Sequence, residues 1–169
     1  MNRILDLWNH ADQASAREAM IACCGAQRWV AAMIAARPIS SVAELSETAD
    51  RIWATTQESD WLEAFACHPR IGERKAAHAT VQSTAWSRQE QSSTNAASER
   101  ILAELAEGNA LYEERFGFTY IVCATGKSAD EMLAILQRRL GSDRQTELHE
   151  AAEQQRQIMQ IRLGKWLTQ

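Results

Sequence analysis

The segment "FGFTYIVCATG", residues 116–126, decides the fold class, because it differs in character from the rest of the chain. Its aromatic and β-branched residues, with Gly117 and Gly126 near the two ends, are typical of a β-strand. One strand alone has no partner with which to form a sheet. We therefore expect an extended or short helical piece that is fixed by its tertiary surroundings, within an all-α fold.

The remaining sequence has the composition and the periodicity of helices. It contains only two prolines and seven glycines in 169 residues, and it is rich in Ala, Leu, Glu, Gln and Arg, which favour helices. Apolar residues recur at three- and four-residue spacing in "ILDLWNHA", "AREAMIACC" and "QRWVAAMIAARP". Without an internal repeat or a linker, the chain is predicted to form a single-domain helical bundle over residues 1–169, with about seven to nine helices.

Helix starts follow from the capping-box pattern, in which a serine, threonine or aspartate precedes a glutamate by three positions. Three starts are predicted in this way: Ser41 with Glu44, Asp60 with Glu63, and Ser128 with Glu131. Ser87 with Glu90 has the same spacing and predicts the start of a long helical region that is punctuated near Gly108 and runs to Arg115. Gly141 is a predicted stop before a last helix over residues 143–167. The stretch "RKAAHATVQSTAW" predicts a short helix or a loop.

The net charge and the spacing of the cysteines indicate which binding partners and which cellular compartment to expect. The net charge of −4 gives no reason to expect nucleic acid or an anionic membrane as a partner. The four cysteines at positions 23, 24, 67 and 123 lack both metal-ligand spacing and a disulfide framework, so we expect reduced thiols in a cytoplasmic protein. The N-terminal "MNRILDLWNHADQ" does not resemble a signal peptide, and no segment has the ~20 apolar residues that span a bilayer.

The stretch "ACHPRIGERK", residues 66–75, is the first candidate for chemistry. Pro69 restricts the preceding residue and so keeps His68 out of the α-helical region, at the boundary of an element. Such positions present reactive side chains, but they also hold inert ones. His68 is therefore either a reactive group at a cleft or an ordinary histidine at a helix end.

Two further stretches carry candidate residues, each with a structural alternative. In "SRQEQ", residues 87–91, Ser87 and Glu90 either serve a site or only cap a helix, and a helix start would also offer N–H groups to an anion. Arg162 in "IMQIRLGKWL" is either a ligand-binding cation or a snorkelling arginine. The histidines at positions 10, 68, 78 and 149 lack metal-ligand spacing, which predicts no metal site. The sequence has no glycine-rich phosphate loop and no nucleophile elbow.

Taken together and in this order, "HPRIGE", "AWSRQEQSS", "LYEERFGFTYIVCATGKS" and "IRL" resemble the OHCU decarboxylase family. OHCU is 2-oxo-4-hydroxy-4-carboxy-5-ureidoimidazoline, an intermediate of uric acid degradation. The resemblance covers most of the chain from about residue 60 onward. It implies a cofactor-free, metal-free decarboxylase that produces (S)-allantoin and CO₂. It also implies an all-helical homodimer whose partner is the small molecule OHCU.

The resemblance also implies a role for each matching residue. His68 is the catalytic residue and Glu90 is its partner. The implied substrate-binding residues are Pro69, Ser87, Arg88, Gln89, Gln91, the main chain of Tyr120, Ile121, Val122, Cys123 and Ala124, and Arg162. Arg156 and Arg88 are alternatives to Arg162 for the anionic end of the substrate. Whether His68 acts as acid, base or electrostatic partner stays open.

A non-enzymatic, all-helical interaction module is the alternative from a different class of function. In that interpretation "SRQEQ" is only a cap and His68 only marks a helix end. A fusion with a transthyretin-like hydrolase is not expected, because the chain ends soon after "IRLGKWLTQ". Faster loss of freshly generated OHCU, with one enantiomer of allantoin as product, would distinguish the enzyme from the module.

Overall fold

The computed structural model describes residues 2–73 and 79–169. These residues form nine α-helices and one short 3-10 helix, without a β-strand, so the all-α prediction is confirmed. The α-helices are α1 (Arg3–His10), α2 (Gln13–Cys23), α3 (Gln27–Ala35), α4 (Val42–Trp53), α5 (Glu58–Phe65), α6 (Val81–Glu90), α7 (Glu99–Phe116), α8 (Ala129–Arg139) and α9 (Arg144–Trp166). The 3-10 helix spans Ser92–Ala96. None of the described helices is both long and apolar enough to cross a membrane.

One compact unit contains the described residues up to Ala64 and those from Arg156 onward. In it, α2 packs against α1 and α3, and α3 packs against α4. Its core is rich in buried tryptophan and methionine: Trp8, Met20, Trp29 and Met33. The indole N–H of Trp29 donates to the carbonyl of Ala49 at 3.1 Å, so this large ring is buried with its polar atom satisfied.

The other unit extends from Phe65 to Gln155. Within it, α7 packs against α8, and Gly108 of α7 lies next to Leu136 of α8. A Cβ atom at Gly108 would be 2.6 Å from Cδ2 of Leu136, so any side chain there would force Leu136 or a helix to move. At the C-terminal end of α7, Gly117 has a φ of +80° and terminates the helix in the left-handed conformation.

The strand-like segment after Gly117 forms neither a strand nor a helix before α8 begins. Its residues Tyr120–Ala124 are buried, and the hydroxyl of Tyr120 donates to the carbonyl of Met132 at 3.0 Å. Just before them, the Phe118 ring packs 5.4 Å from the Phe65 ring, centroid to centroid. Tertiary contacts therefore hold an irregular segment whose composition is typical of a strand.

The capping-box pattern places the starts of α4 and α8 correctly. Ser128 and Glu131 form a complete capping box at α8. Ser41 caps α4 by accepting from the main-chain N–H of Glu44 at 3.1 Å, whereas the Glu44 carboxylate accepts from the N–H of Ser40. Later in the chain, α8 ends just before the predicted stop and α9 occupies most of residues 143–167.

The predicted helix start at Asp60 is wrong. α5 begins at Glu58, two positions earlier. Asp60 instead lies inside the first turn, where its carboxylate accepts from the main-chain N–H of Gln57 at 3.0 Å. The carboxylate thus still satisfies an N–H group at the helix start.

The predicted helix start at Ser87 is also wrong. Thr80 caps α6, so Ser87 and Glu90 lie in the last turns of that helix. The interruption of the α-helical region falls between Glu90 and Glu99 rather than near Gly108, which lies inside α7. A 3-10 helix follows, and α7 has its own cap, Ser98, which accepts from the N–H of Ile101 at 3.3 Å. A capping residue needs non-helical backbone angles, which Thr80 and Ser98 have. Ser87 and Glu90 therefore cap no helix start, and the helix end beside them offers no free N–H groups to an anion.

The stretch "RKAAHATVQSTAW" begins in residues 74–78, which lie outside the described residues. Its second half forms the first turns of α6. The four cysteines are free thiols in the structure, with Cys23, Cys24 and Cys123 buried and Cys67 half-buried; their redox state in the cell stays a prediction.

Candidate active site

His68 lies in a bend shortly after the end of α5, outside any helix, as predicted from the restriction that Pro69 places on the preceding residue. Its main-chain N–H donates to the carbonyl of Phe65 at 3.0 Å. The half-buried imidazole has its Nε2 atom 2.7 Å from Oε1 of Gln155 in α9. Because Gln155 is fully buried, this contact fixes the ring against a rigid element.

The loop that follows His68 is anchored to α7. The guanidinium of Arg70 donates from Nε and from a terminal nitrogen to the two carboxylate oxygens of Glu113, at 2.8 and 2.7 Å. This two-point contact is the geometry in which arginine binds carboxylates most specifically. Nδ2 of Asn109 donates to the carbonyl of Ile71 at 3.0 Å. Sequence reasoning missed both α7 residues, because Asn109 belongs to no motif and Glu113 lies in the quoted "LYEERFGFTYIVCATGKS" without being assigned a role.

A cavity of about 590 Å³ lies at the end of this loop. Ser87, Arg88 and Gln91 line it, together with Gly72 from the loop and Leu102 from α7. The side-chain Oε1 of Gln91 accepts from the N–H of Gly72 at 2.9 Å, which connects the end of α6 to the loop. The volume of the cavity and its mixed polar and apolar walls are typical of a small-molecule site.

The last turns of α6 point the predicted residues in different directions. Successive residues of an α-helix are separated by about 100°, so Ser87 and Glu90 lie about 60° apart, whereas Gln89 lies on the opposite side from Ser87. Ser87 is buried, Glu90 is half-buried and Gln89 is exposed. The pairing of Glu90 with His68 stays a prediction.

The main chain of Tyr120–Ala124 is held by side chains from α8 and α9. A terminal nitrogen of Arg139 donates to the carbonyl of Ile121 at 2.7 Å. Oε1 of Gln154 accepts from the N–H of Cys123 at 2.8 Å. These two contacts fix the path of an irregular segment that has no sheet or helix of its own.

A buried charged cluster stands behind this segment. Arg139 donates from Nε to Oε1 of Glu147 at 2.7 Å, and the Tyr112 hydroxyl donates to the same oxygen. The guanidinium also lies 4.9 Å from the ring centroid of Tyr120, within the range of a cation–π interaction. Burial, the largest cause, raises the pKa of the Tyr112 hydroxyl, which therefore remains a donor. Sequence reasoning missed this cluster, although Arg139 continues the buried stripe of α8 three residues after Leu136.

A family model described as OHCU decarboxylase matches residues 9–164. The chain belongs to the OHCU decarboxylase family. The membership confirms the resemblance seen in the motifs. The family model also matches from residue 9 onward, whereas the motif resemblance begins at about residue 60.

The names of two similar curated proteins refer to uric acid degradation and to OHCU decarboxylation. The "Uric acid degradation bifunctional protein TTL" of Arabidopsis thaliana is 38% identical over 145 residues, which are 85% of this chain and 44% of that protein. The "2-oxo-4-hydroxy-4-carboxy-5-ureidoimidazoline decarboxylase" of Haloferax volcanii is 29% identical over 81% of this chain and 80% of its own length. The chain spans 44% and 28% of the bifunctional relatives from Arabidopsis thaliana and Bacillus subtilis.

A solved structure supports the same family fold. The "Crystal structure of OHCU decarboxylase in the presence of (S)-allantoin" matches with a TM-score of 0.77 and 33% identity. The match covers 94% of this chain and 100% of the chain in that crystal structure.

The arginines proposed for an anionic substrate in this OHCU decarboxylase family member have different surroundings. Arg162 belongs to the first compact unit and is only 2% exposed. Burial raises the pKa of the Cys23 thiol, and the charge of Arg162 opposes that rise. Arg156 binds Asp50, with one nitrogen 3.1 and 3.0 Å from the two carboxylate oxygens. Arg88 lines the cavity of the second unit.

No cluster of three histidine, cysteine or acidic side chains that could hold a metal ion occurs within residues 2–73 and 79–169. His10 and His149 are exposed residues on α1 and α9. His78 lies outside the described residues.

Proposed function

We propose that this protein is a decarboxylase that converts OHCU to (S)-allantoin and CO₂ in uric acid degradation. The family match over residues 9–164 carries the proposal. The geometry supports it, because the second unit contains both a fixed imidazole, His68, and a cavity whose wall includes the polar residues Ser87, Arg88 and Gln91.

The chemistry of the substrate explains why no organic cofactor is needed. When the bond to the carboxylate breaks, CO₂ leaves and the bonding electron pair stays on the ring system. The neighbouring carbonyl and nitrogen groups delocalise that pair, so the substrate is its own electron sink. One proton is then taken up for each carboxylate lost. The protein has to orient the carboxylate out of the ring plane, stabilise the developing charge and deliver the proton.

His68 is the proposed proton-transfer group. An imidazole exchanges protons readily near neutral pH. The restriction imposed by Pro69 keeps this one outside a helix, where its ring is half-buried. Glu90 is the proposed partner, because a carboxylate close to the ring stabilises its protonated form. Proton delivery to one face of the intermediate gives a single enantiomer.

The other residues of the site are proposed to bind the substrate. Ser87, Arg88 and Gln91 supply polar groups from the cavity wall at the end of α6. Gln89, which the resemblance also implies, is exposed on the opposite side of that helix from Ser87, so its contact with the substrate stays a prediction. Pro69 supplies part of the wall, and main-chain groups of Tyr120–Ala124 contact the heterocycle. Arg162 keeps its proposed role at the anionic end, because an arginine fork matches a carboxylate better than a lysine does.

The enzyme is favoured over a helical interaction module for a structural reason. The interpretation as an interaction module assumes that Ser87 and Glu90 are only helix caps. In the structure, however, Thr80 caps α6 and Ser98 caps α7. Ser87 is instead buried in the wall of a cavity. A buried serine at a cavity wall is consistent with a binding site.

We further propose that residues 1–169 act as one decarboxylase domain in a cytoplasmic homodimer. The family match spans nearly the whole chain, and the four free thiols are compatible with a reducing compartment. Light scattering after size-exclusion chromatography tests the dimer: a mass of one chain at working concentration would contradict it.

A coupled assay tests the proposed activity. OHCU is generated in situ from urate, and its ultraviolet signal is followed with and without the protein. We expect faster loss of the signal and one enantiomer of allantoin, detected by circular dichroism. A decay rate equal to the spontaneous one, with racemic allantoin, would refute the decarboxylase activity.

A further inference from the structure

Gln155 is a buried amide with one satisfied atom and one unsatisfied atom. Its Oε1 lies 2.7 Å from Nε2 of His68, whereas its Nε2 is buried and has no hydrogen-bond partner among the described residues. We propose that Gln155 is a positioning residue that holds His68 in the tautomer with its proton on Nε2. This role rests on the proposed function, because it concerns the proton-transfer group of the decarboxylation.

The needs of the fold alone do not explain an amide at this position. A buried donor without an acceptor costs more free energy than one neutral hydrogen bond returns. An apolar side chain of similar size, such as methionine, would avoid that cost in the same space. The amide is therefore explained by what its carbonyl oxygen does to His68.

The carbonyl oxygen determines which ring nitrogen is protonated. An amide oxygen only accepts hydrogen bonds, so the ring nitrogen that faces it must carry hydrogen. In the neutral ring of His68 the basic lone pair is then on Nδ1. In the protonated ring Nε2 still donates to the same oxygen. One contact thus serves both protonation states, and Gln155 need not move when the proton is transferred.

The neighbouring residue of α9 adds a second constraint. Gln154 accepts from the N–H of Cys123 at 2.8 Å, and its amide nitrogen donates to Glu150 at 3.0 Å. Consecutive residues of one helix therefore hold the imidazole of His68 and the main chain proposed to contact the substrate. A rigid helix keeps these two groups at a constant spacing, which is a requirement for efficient proton delivery.

Nitrogen-15 NMR of histidine-labelled, ligand-free protein tests the tautomer without any need for activity. The His68 signals are identified by their disappearance in His68→Asn. We expect the Nε2–H tautomer in the wild type and a mixture of tautomers in Gln155→Met. The Nδ1–H tautomer in the wild type would overturn the proposal, even if Gln155→Met did not fold.

Kinetics and thermal melts of matched variants test the positioning role. Gln155→Met is expected to lower kcat by about 10²-fold and to change KM by less than about threefold, with an unchanged or higher Tm. The control is Gln160→Met on the same helix, where Gln160 donates to Ser46 and Asp50 at 2.9 and 2.8 Å. That variant should lose thermal stability and keep its kcat.

The outcomes separate this proposal from the proposed function. If Gln155→Met keeps the wild-type kcat and melts lower, as expected of Gln160→Met, Gln155 is only structural and the proposal is wrong. Gln155→Glu keeps an acceptor oxygen at the ring, so it should retain the Nε2–H tautomer in the NMR spectrum. A wild-type protein without activity on OHCU would refute the decarboxylase, while the tautomer measurement would still decide the contact.

Discussion

Removal of Arg139 should destabilise the protein strongly, because its partner would stay behind as a buried charge. The side chains of Arg139 and Glu147 are only 4% and 1% exposed, and Nε of Arg139 lies 2.7 Å from Oε1 of Glu147. Breaking a buried ion pair from one side costs about 3–5 kcal/mol. Arg139→Met also removes the donor to the carbonyl of Ile121, so the segment proposed to contact the substrate loses a tether.

The expected change is large enough for ordinary thermal and chemical unfolding. In a chain of this size 1 kcal/mol shifts Tm by about 2–4 °C, so Arg139→Met should lower Tm by about 6–20 °C. Urea unfolding followed by far-ultraviolet circular dichroism gives the free energy of unfolding in water by linear extrapolation. KM for OHCU should rise at the same time.

A double variant separates the cost of an unpaired charge from the value of the pair. Arg139→Met combined with Glu147→Leu removes both charges, so it should be less destabilised than the sum of the two single changes. The surface pair Arg100–Glu104 has the same 2.7 Å contact with side chains 74% and 36% exposed. Arg100→Met should therefore cost less than about 1 kcal/mol. Additive effects within about 0.5 kcal/mol, or equal losses in Arg139→Met and Arg100→Met, would refute the reasoning.

Three further predictions concern the site. Glu90→Gln should lower the decarboxylation rate strongly and leave urea unfolding nearly unchanged, because the charge is lost and the shape is kept; full activity would remove Glu90 from the mechanism. Arg162→Lys should raise KM several-fold and Arg162→Met should lose most affinity for allantoin, since a bidentate charged contact contributes about 1.5–3 kcal/mol. Titration with allantoin and thermal melts measure both effects, and intact binding with a much lower Tm would make Arg162 structural. Chelators and exhaustive dialysis should leave activity unchanged, and reactivation of dialysed protein by a divalent cation would contradict the metal-free mechanism.

Local rules in the sequence found the features that depend on neighbouring residues. The effect of Pro69 on His68 and the caps at Ser41 and Ser128 each follow from a few adjacent positions. The same kind of rule failed at Ser87, because a serine followed three residues later by a glutamate also occurs inside a helix. Spacing alone does not show whether the backbone before the serine is helical.

Rules that use only neighbouring positions could not predict contacts between residues that lie far apart in the sequence. Gln155 meets His68 across 87 positions, and an isolated glutamine forms no motif. Arg70 and Glu113 likewise pair across 43 positions. The chemistry of such pairs is ordinary, but only the packing of α7 and α9 in the second unit brings the residues together.

The activity of His68→Ala tests the central claim most directly, because the proposed reaction depends on a positioned proton-transfer group. Wild type, His68→Ala and the control His10→Ala, which alters an exposed histidine of α1, are compared with freshly generated OHCU and in thermal melts. Loss of a positioned proton-transfer group usually costs 10²–10⁴-fold in rate, so we expect His68→Ala to lose about 10²-fold or more while its Tm stays near that of the wild type. His10→Ala should match the wild type in both measurements. If folded His68→Ala keeps more than about a tenth of the wild-type rate, His68 is not the proton-transfer group of this enzyme.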